Sequence, residues 1–149
     1  MKQMGILLIA LSMVFGYSMS ANAELEDHGS GLIYDTDLNI TWLQEPNNTP
    51  MTWDQAETWA ASLTEGGVTG WRLPTTPGIT VGFTNEGEMG HLYNNELQNP
   101  LGGPLSNTGP FINLQATAYW SSSVMTAPNP GYPWSYQFQS GFQIAHQPD

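Results

Sequence analysis

Apolar and polar positions change period several times along the chain, and each change predicts an element. Leu32-Ile33-Tyr34 and Ile40-Thr41-Trp42-Leu43 are short apolar runs separated by Thr36-Asp37-Leu38-Asn39, which carries turn chemistry. A β-hairpin is expected there, preceded by a polar, acidic stretch from Glu24 to Ser30. A loop rich in Asn and Pro follows from Glu45 to Pro50.

The period then becomes helical. Trp53, Ala56, Ala60 and Leu63 recur on one side, with Asp54, Gln55, Glu57 and Thr58 largely on the other. Thr52 followed three residues later by Gln55 is a capping box, and Gly66-Gly67 is expected to end the helix. Val68 to Thr75 reads as a compact segment closed by proline, and residues 76–85 as loop. A second helix is expected from about Gly87 to Leu97, with Met89, Leu92, Tyr93 and Leu97 sharing a side. Residues 99–110 form a long loop. The remainder is β: a strand over Ala118 to Ser123, then Trp134, Tyr136 and Phe138 alternating with polar residues as in a half-buried strand. Ser140-Gly141 turns the chain, with Phe142 and Ile144 continuing the apolar face. The order implies one α+β domain, two helices with a small antiparallel sheet, and no internal repeat is visible.

One apolar run fits none of this. Met4 to Tyr17 is almost wholly apolar, follows Lys2, and ends ahead of Ala21-Asn22-Ala23. A basic start, a short apolar middle and small residues at the end are the parts of a cleavable secretory signal. The run is shorter than the roughly 20 residues needed to span a bilayer. Residues 1–23 are therefore expected to be a signal peptide and residues 24–149 the mature domain, secreted or periplasmic, with no membrane insertion after processing.

Processing sharpens the charge. The chain holds 2 basic and 13 acidic residues, for a net charge of −11; Lys2 leaves with the signal, so Arg72 alone faces all 13 acids and the balance falls to −12. Such a surface repels nucleic acid and other polyanions. There is no cysteine, which excludes a disulfide framework, a thiolate nucleophile and a cysteine metal site. Six Trp, six Tyr and five Phe supply the core instead.

The succession GLIYDTDLNITWL, MTWDQAETWAASL, GGVTGWRLPT, EMGHLYNNEL, GPFINLQ and YWSSS resembles the bacterial Lcl C-terminal domain family, named for a collagen-like adhesin and long a domain of unknown function. The resemblance covers about Gly31 to Ile144. A tryptophan-bearing helix before RLPT is also similar to formylglycine-generating enzymes, and so implies a C-type-lectin-like fold. Their cysteine chemistry is not implied, because this chain has no cysteine. The resemblance further implies a closing strand with a pattern near WAVR; the sequence runs instead to His146-Gln147-Pro148-Asp149, so that strand is expected to be missing. The adhesin's polysaccharide binding is attributed to a basic surface, which an acidic chain does not share.

Several constellations are candidates for chemistry. Asp35, Asp37 and Asn39 present alternating oxygens, either as calcium ligands or as caps of the hairpin turn. Arg72 either clamps an anionic ligand or pairs with a carboxylate, Asp35, Glu86 or Glu88. His28, His91 and His146 lack metal spacing; His91 lies within helical reach of Glu88 and Asn95. Glu86, Glu88 and Glu96 would have to face one another across several ångströms to hydrolyse a glycoside. Trp120 and Trp134, with Ser121, Ser122, Ser123 and Tyr136, combine flat rings and hydroxyls as sugar sites do. Most of the aromatics, Trp53 and Trp71 among them, are expected in the core. The function expected is recognition of a carbohydrate or another cell-surface or matrix component, without catalysis and without a cofactor unless calcium. The alternatives are a structural or protein-interaction module and a hydrolase.

Overall fold

In the computed structural model the described residues are 4–7, 9–10, 25–78 and 80–148. The expected cleavage junction between Ala23 and Glu24 lies outside them. Thr52 starts the first helix as its capping box requires. Its Oγ1 accepts from the Gln55 amide at 3.3 Å and its own amide donates to Gln55 Oε1 at 3.0 Å. Helix α1, Trp53–Ser62, turns Ala56 and Ala60 inward against Leu43, Trp71, Leu73 and Trp120. It stops before the two glycines, where Leu63 becomes extended and its amide closes onto the Ala60 carbonyl. Gly66 and Gly67 instead form a tight turn, held by reciprocal Glu65–Val68 backbone bonds, with φ of +55° and +78°.

The second helix is wound in two ways. Helix α2, Gly87–Gly90, continues as a π-helical turn over His91–Glu96. The Leu97 amide reaches back five residues to the Leu92 carbonyl at 2.9 Å. A five-residue step aligns Leu92 with Leu97, which an α-helix would not do, and Met89, Leu92, Tyr93 and Leu97 are all buried as a result.

The strands are β1 (Met4–Ile6), β2 (Ile9–Ala10), β3 (Leu25–Gly29), β4 (Leu32–Asp35), β5 (Ile40–Leu43), β6 (Asn47–Met51), β7 (Trp71–Arg72), β8 (Gly82–Phe83), β9 (Ala118–Val124), β10 (Pro133–Gln137) and β11 (Phe142–Ala145). They form two sheets, ordered β6-β1-β9-β10-β11-β8 and β3-β4-β5-β2-β7. All pairs are antiparallel except β1 with β9. The α+β class and the two helices are as the pattern predicts. The single small sheet becomes two, and β1 and β2 each lie second from an edge, inside one outer strand of each sheet.

Two strands lie where a loop or a leader is expected. β6 overlaps the expected Glu45–Pro50 loop and, among the described residues, pairs with β1 alone. β3 lies in the acidic leader to Ser30, an exposed edge strand paired with β4. The β tail also departs from strict alternation. In β10 both Trp134 and Tyr136 on one face and Ser135 on the other are buried. In β11 the buried position is Gln143, while Phe142 and Ile144 are only partly buried. The Gln143 Nε2 donates to the Thr80 carbonyl, so the loop before β8 covers the face expected to be polar and exposed.

The main core takes residues from both sheets, and rings fill one side of it. Tyr93, Tyr119, Tyr136 and Phe138 are fully buried and meet edge to face, with centroids 5.4–6.0 Å apart. Each hydroxyl finds an acceptor: Tyr93 the Gly103 carbonyl, Tyr119 Asn48 Oδ1 and Tyr136 the Thr84 carbonyl. Burial pushes the Tyr119 phenol up to about 12 and the Tyr136 phenol higher still. Leu7 and Ile9 sit in this same cluster with no exposed surface.

Candidate functional site

Arg72 leaves β7 and meets Glu88 on α2. Nη1 donates to Oε2 at 2.9 Å, Nη2 to Oε1 at 2.6 Å, and Nη1 also reaches the Leu73 carbonyl at 3.1 Å. The Thr75 amide adds a third donor to the carboxylate at 2.7 Å. Burial alone would raise the Glu88 pKa, but the guanidinium and the Thr75 amide overcome that and hold it below the usual value. Of the three carboxylates the sequence offered, Glu88 is the partner. The fork is filled, and it fastens Trp71-Arg72-Leu73-Pro74-Thr75 to the start of α2. The same segment is tied to β9, where the Ser122 amide donates to the Pro74 carbonyl and Ser123 Oγ to the Thr76 carbonyl.

The aromatic candidates separate. Trp134 and Tyr136 have no exposed surface, so neither offers a ring face to a ligand. Trp120 is nearly buried as well, yet its ring borders a cleft of about 390 Å³ together with Trp53, Asp54, Pro133, His146 and Gln147. Both indole N–H groups are spent internally. Trp53 Nε1 donates to the Ser121 carbonyl at 2.8 Å and Trp120 Nε1 to the Met51 carbonyl at 3.0 Å. Trp120 is further fixed by His146, whose ring meets it edge-on at 5.2 Å and whose Nε2 pairs with Ser135 Oγ. Asp54 and Gln147 stand exposed at the rim. A larger cleft of about 780 Å³, between Trp59, Leu63, Ile112 and Asn47–Pro50, carries only one ring.

The turn oxygens have different partners. Asp35 is buried, its Oδ1 accepting from the Asp37 and Leu38 amides and its Oδ2 from Trp42 Nε1. Asn39 accepts from the Tyr34 hydroxyl, away from the other two. Asp35 converges instead with His91 and Glu96, whose ligand atoms all lie within 4.8 Å of one another. His91 Nε2 is 3.1 Å from Glu96 Oε1 and 3.5 Å from Asp37 Oδ2. Burial, then the Asp35 charge, raise the Glu96 pKa, against the pull of His91. One imidazole and two or three carboxylates are donors for a divalent cation, and the same geometry also suits a shared proton.

The three glutamates proposed for glycoside hydrolysis do not converge. Glu88 is committed to Arg72, Glu96 is buried beside His91, and Glu86 is exposed at the start of α2.

The Lcl C-terminal domain model matches residues 31–148. The chain belongs to the Lcl C-terminal domain family. No curated protein and no solved structure was found to match it. Within this Lcl C-terminal domain, the Arg72–Glu88 pair holds the RLPT segment on which the resemblance rested. Two groups escaped sequence reasoning. The His91–Glu96 contact spans five residues, and the π-helical turn makes it; an α-helical reading looked to Glu88 and Asn95. Trp53 was expected in the core, and its helical spacing gave no sign that it would border a cleft with Trp120, 67 positions on. No helix among the described residues is long and apolar enough to cross a membrane.

Proposed function

We propose that this Lcl C-terminal domain is an exported recognition module that holds a neutral carbohydrate in the cleft between Trp53 and Trp120, without turnover. One observation carries the reading: two indoles border a single cleft with their N–H groups already satisfied, so the rings are held in place before any ligand arrives. A pre-ordered ring loses little freedom on binding, and the partly exposed Trp53 face suits the C–H surface of a sugar, with the edge of the buried Trp120 as the floor. Asp54 and Gln147 supply an acceptor and an amide for hydroxyls. The acidic surface and Asp54 itself select against anionic glycans. The cleft carries one carboxylate among its described residues, whereas glycoside hydrolysis ordinarily needs two.

The test titrates the full chain with a panel of neutral oligosaccharides, with and without calcium, following tryptophan fluorescence and heat. The expected result is saturable binding that Asp54→Ala weakens at least tenfold with an unchanged unfolding midpoint. Absence of saturable binding across the panel refutes the carbohydrate reading and favours a structural or protein-interaction module. Release of reducing ends would instead establish a hydrolase.

A further inference from the structure

We propose that the domain is built around a strand slot, that residues 4–7 and 9–10 fill it, and that after cleavage the severed segment of this chain, or the same segment of a second copy, still fills it as a non-covalent strand. The slot runs through both sheets. In the first, Gly5 lies opposite Tyr119 in the parallel direction, while Met4 and Ile6 face Met51 and Asn47 on the other side. In the second, Ile9 lies between Trp42 and Arg72, and Ala10 between Thr41 and Trp71. The segment therefore has strand neighbours on both flanks. β6 has no strand partner but β1, and β7 none but β2, among the described residues. Leu7 and Ile9 are fully buried among the rings of the main core.

These are the residues whose apolar run, next to Lys2, reads as a secretory signal. One segment cannot serve both uses at once. Processing near Glu24 followed by loss of the segment would leave β6 and β7 unpaired and open the core where Leu7 and Ile9 lie. Unpaired backbone flanking an apolar trench is a template for strand addition, in which main-chain bonds give affinity and side-chain pockets give selectivity. The seated segment states the chemistry that the slot accepts. It is uncharged and extended, with aliphatic side chains at the two buried positions and glycine opposite Tyr119. A Cβ on Gly5 would lie 3.0 Å from the Tyr119 ring and 3.2 Å from the Asn47 carbonyl oxygen, so a larger residue there must displace the ring or the strand. This surface is separate from the Trp53–Trp120 cleft.

The experiment starts from the full chain with a protease site inserted between residues 11 and 24, purified intact and then nicked. The probe is a labelled synthetic peptide of residues 2–11. The expected result is that the cut segment stays with the domain through gel filtration and exchanges one-for-one with the probe. Peptides carrying Leu7→Asp or Gly5→Leu compete at least a hundredfold less well. Depletion of the segment should lower the unfolding midpoint, and the unlabelled peptide should restore it. The proposal is overturned if the segment leaves and the remainder keeps its midpoint and spectrum. It is equally overturned if the midpoint falls and the peptide does not restore it, or if the Leu7→Asp peptide exchanges as readily as the native one.

Discussion

Replacing Arg72 by Met keeps most of the aliphatic stem and removes the fork. What remains is the Glu88 carboxylate, its side chain 16% exposed, with one donor, the Thr75 amide, where it had three. Breaking a fully buried pair from one side costs about 3–5 kcal/mol, and an exposed pair contributes about 0–1 kcal/mol. The Arg72 side chain is 40% exposed and Glu88 much less, which places the loss between the limits, at roughly 2–3 kcal/mol. For a domain of this size roughly 2–4 °C accompany each kcal/mol, so the unfolding midpoint should fall by about 5–10 °C.

Urea unfolding of Arg72→Met, Glu88→Gln and the double variant measures the coupling directly. Because the two side chains share bonds, the double variant should lose much less than the sum of the singles. The pH dependence has a sign as well. The folded Glu88 pKa lies below its unfolded value, so its stabilisation is complete above the ordinary carboxylate pKa and disappears as pH falls through the lowered one. Arg72→Met should flatten that acid limb. A variant within about 0.5 kcal/mol of the native chain, typical of a surface change, or strict additivity of the two singles, would refute the structural role. If such a variant stayed folded but no longer bound an anionic ligand, Arg72 would be a clamp instead.

Two further outcomes follow from buried carboxylates. Asp35→Ala removes the acceptor of two turn amides and of Trp42 Nε1, whose ring is fully buried; a loss of about 3–5 kcal/mol is expected by urea unfolding, and a change below 1 kcal/mol would contradict the hydrogen-bond assignment. Glu96 has its folded pKa raised, so its contribution is present below the unfolded value and is lost as pH rises through the folded one. Glu96→Gln should therefore abolish a decline in stability above about pH 4.5, seen by thermal melts across pH; an unchanged decline would assign it elsewhere.

What the sequence made legible was set by local rules. The Thr52–Gln55 box, the β4–β5 turn and the apolar side of α2 each depend on residues a few positions apart, and each formed where the pattern placed it. β6 was illegible because Asn47-Asn48-Thr49-Pro50-Met51 has poor strand propensity and forms a strand only where β1 supplies a partner. Gln143 was illegible for a related reason: its burial depends on a loop contact 63 residues away. The candidate cleft and the His91 cluster fail the same test, since one needs α1 beside β9 and the other needs a helix wound at five residues per bonded step. The three glutamates were visible as residues, and only tertiary placement sent them to three different environments.

The segment at residues 4–7 and 9–10 shows how one apolar run is compatible with two readings. An apolar run of this length satisfies two demands: it is hydrophobic enough to engage an export machinery, and short and β-compatible enough to lie between strands. The leader reading looked outward, to the membrane, and the domain was then counted from Glu24. In the sheets, β9 and β5 each continue through this run to strands that have no other strand partner among the described residues. The remaining 13 acids and the single Arg72–Glu88 pair cannot substitute for that, because charge on a surface does not close a backbone ladder or fill the space of Leu7 and Ile9. Retention or loss of residues 4–7 and 9–10 thus decides more than location. It decides whether the core holding Tyr93, Tyr119, Tyr136 and Phe138 is complete within one chain or must be completed by another.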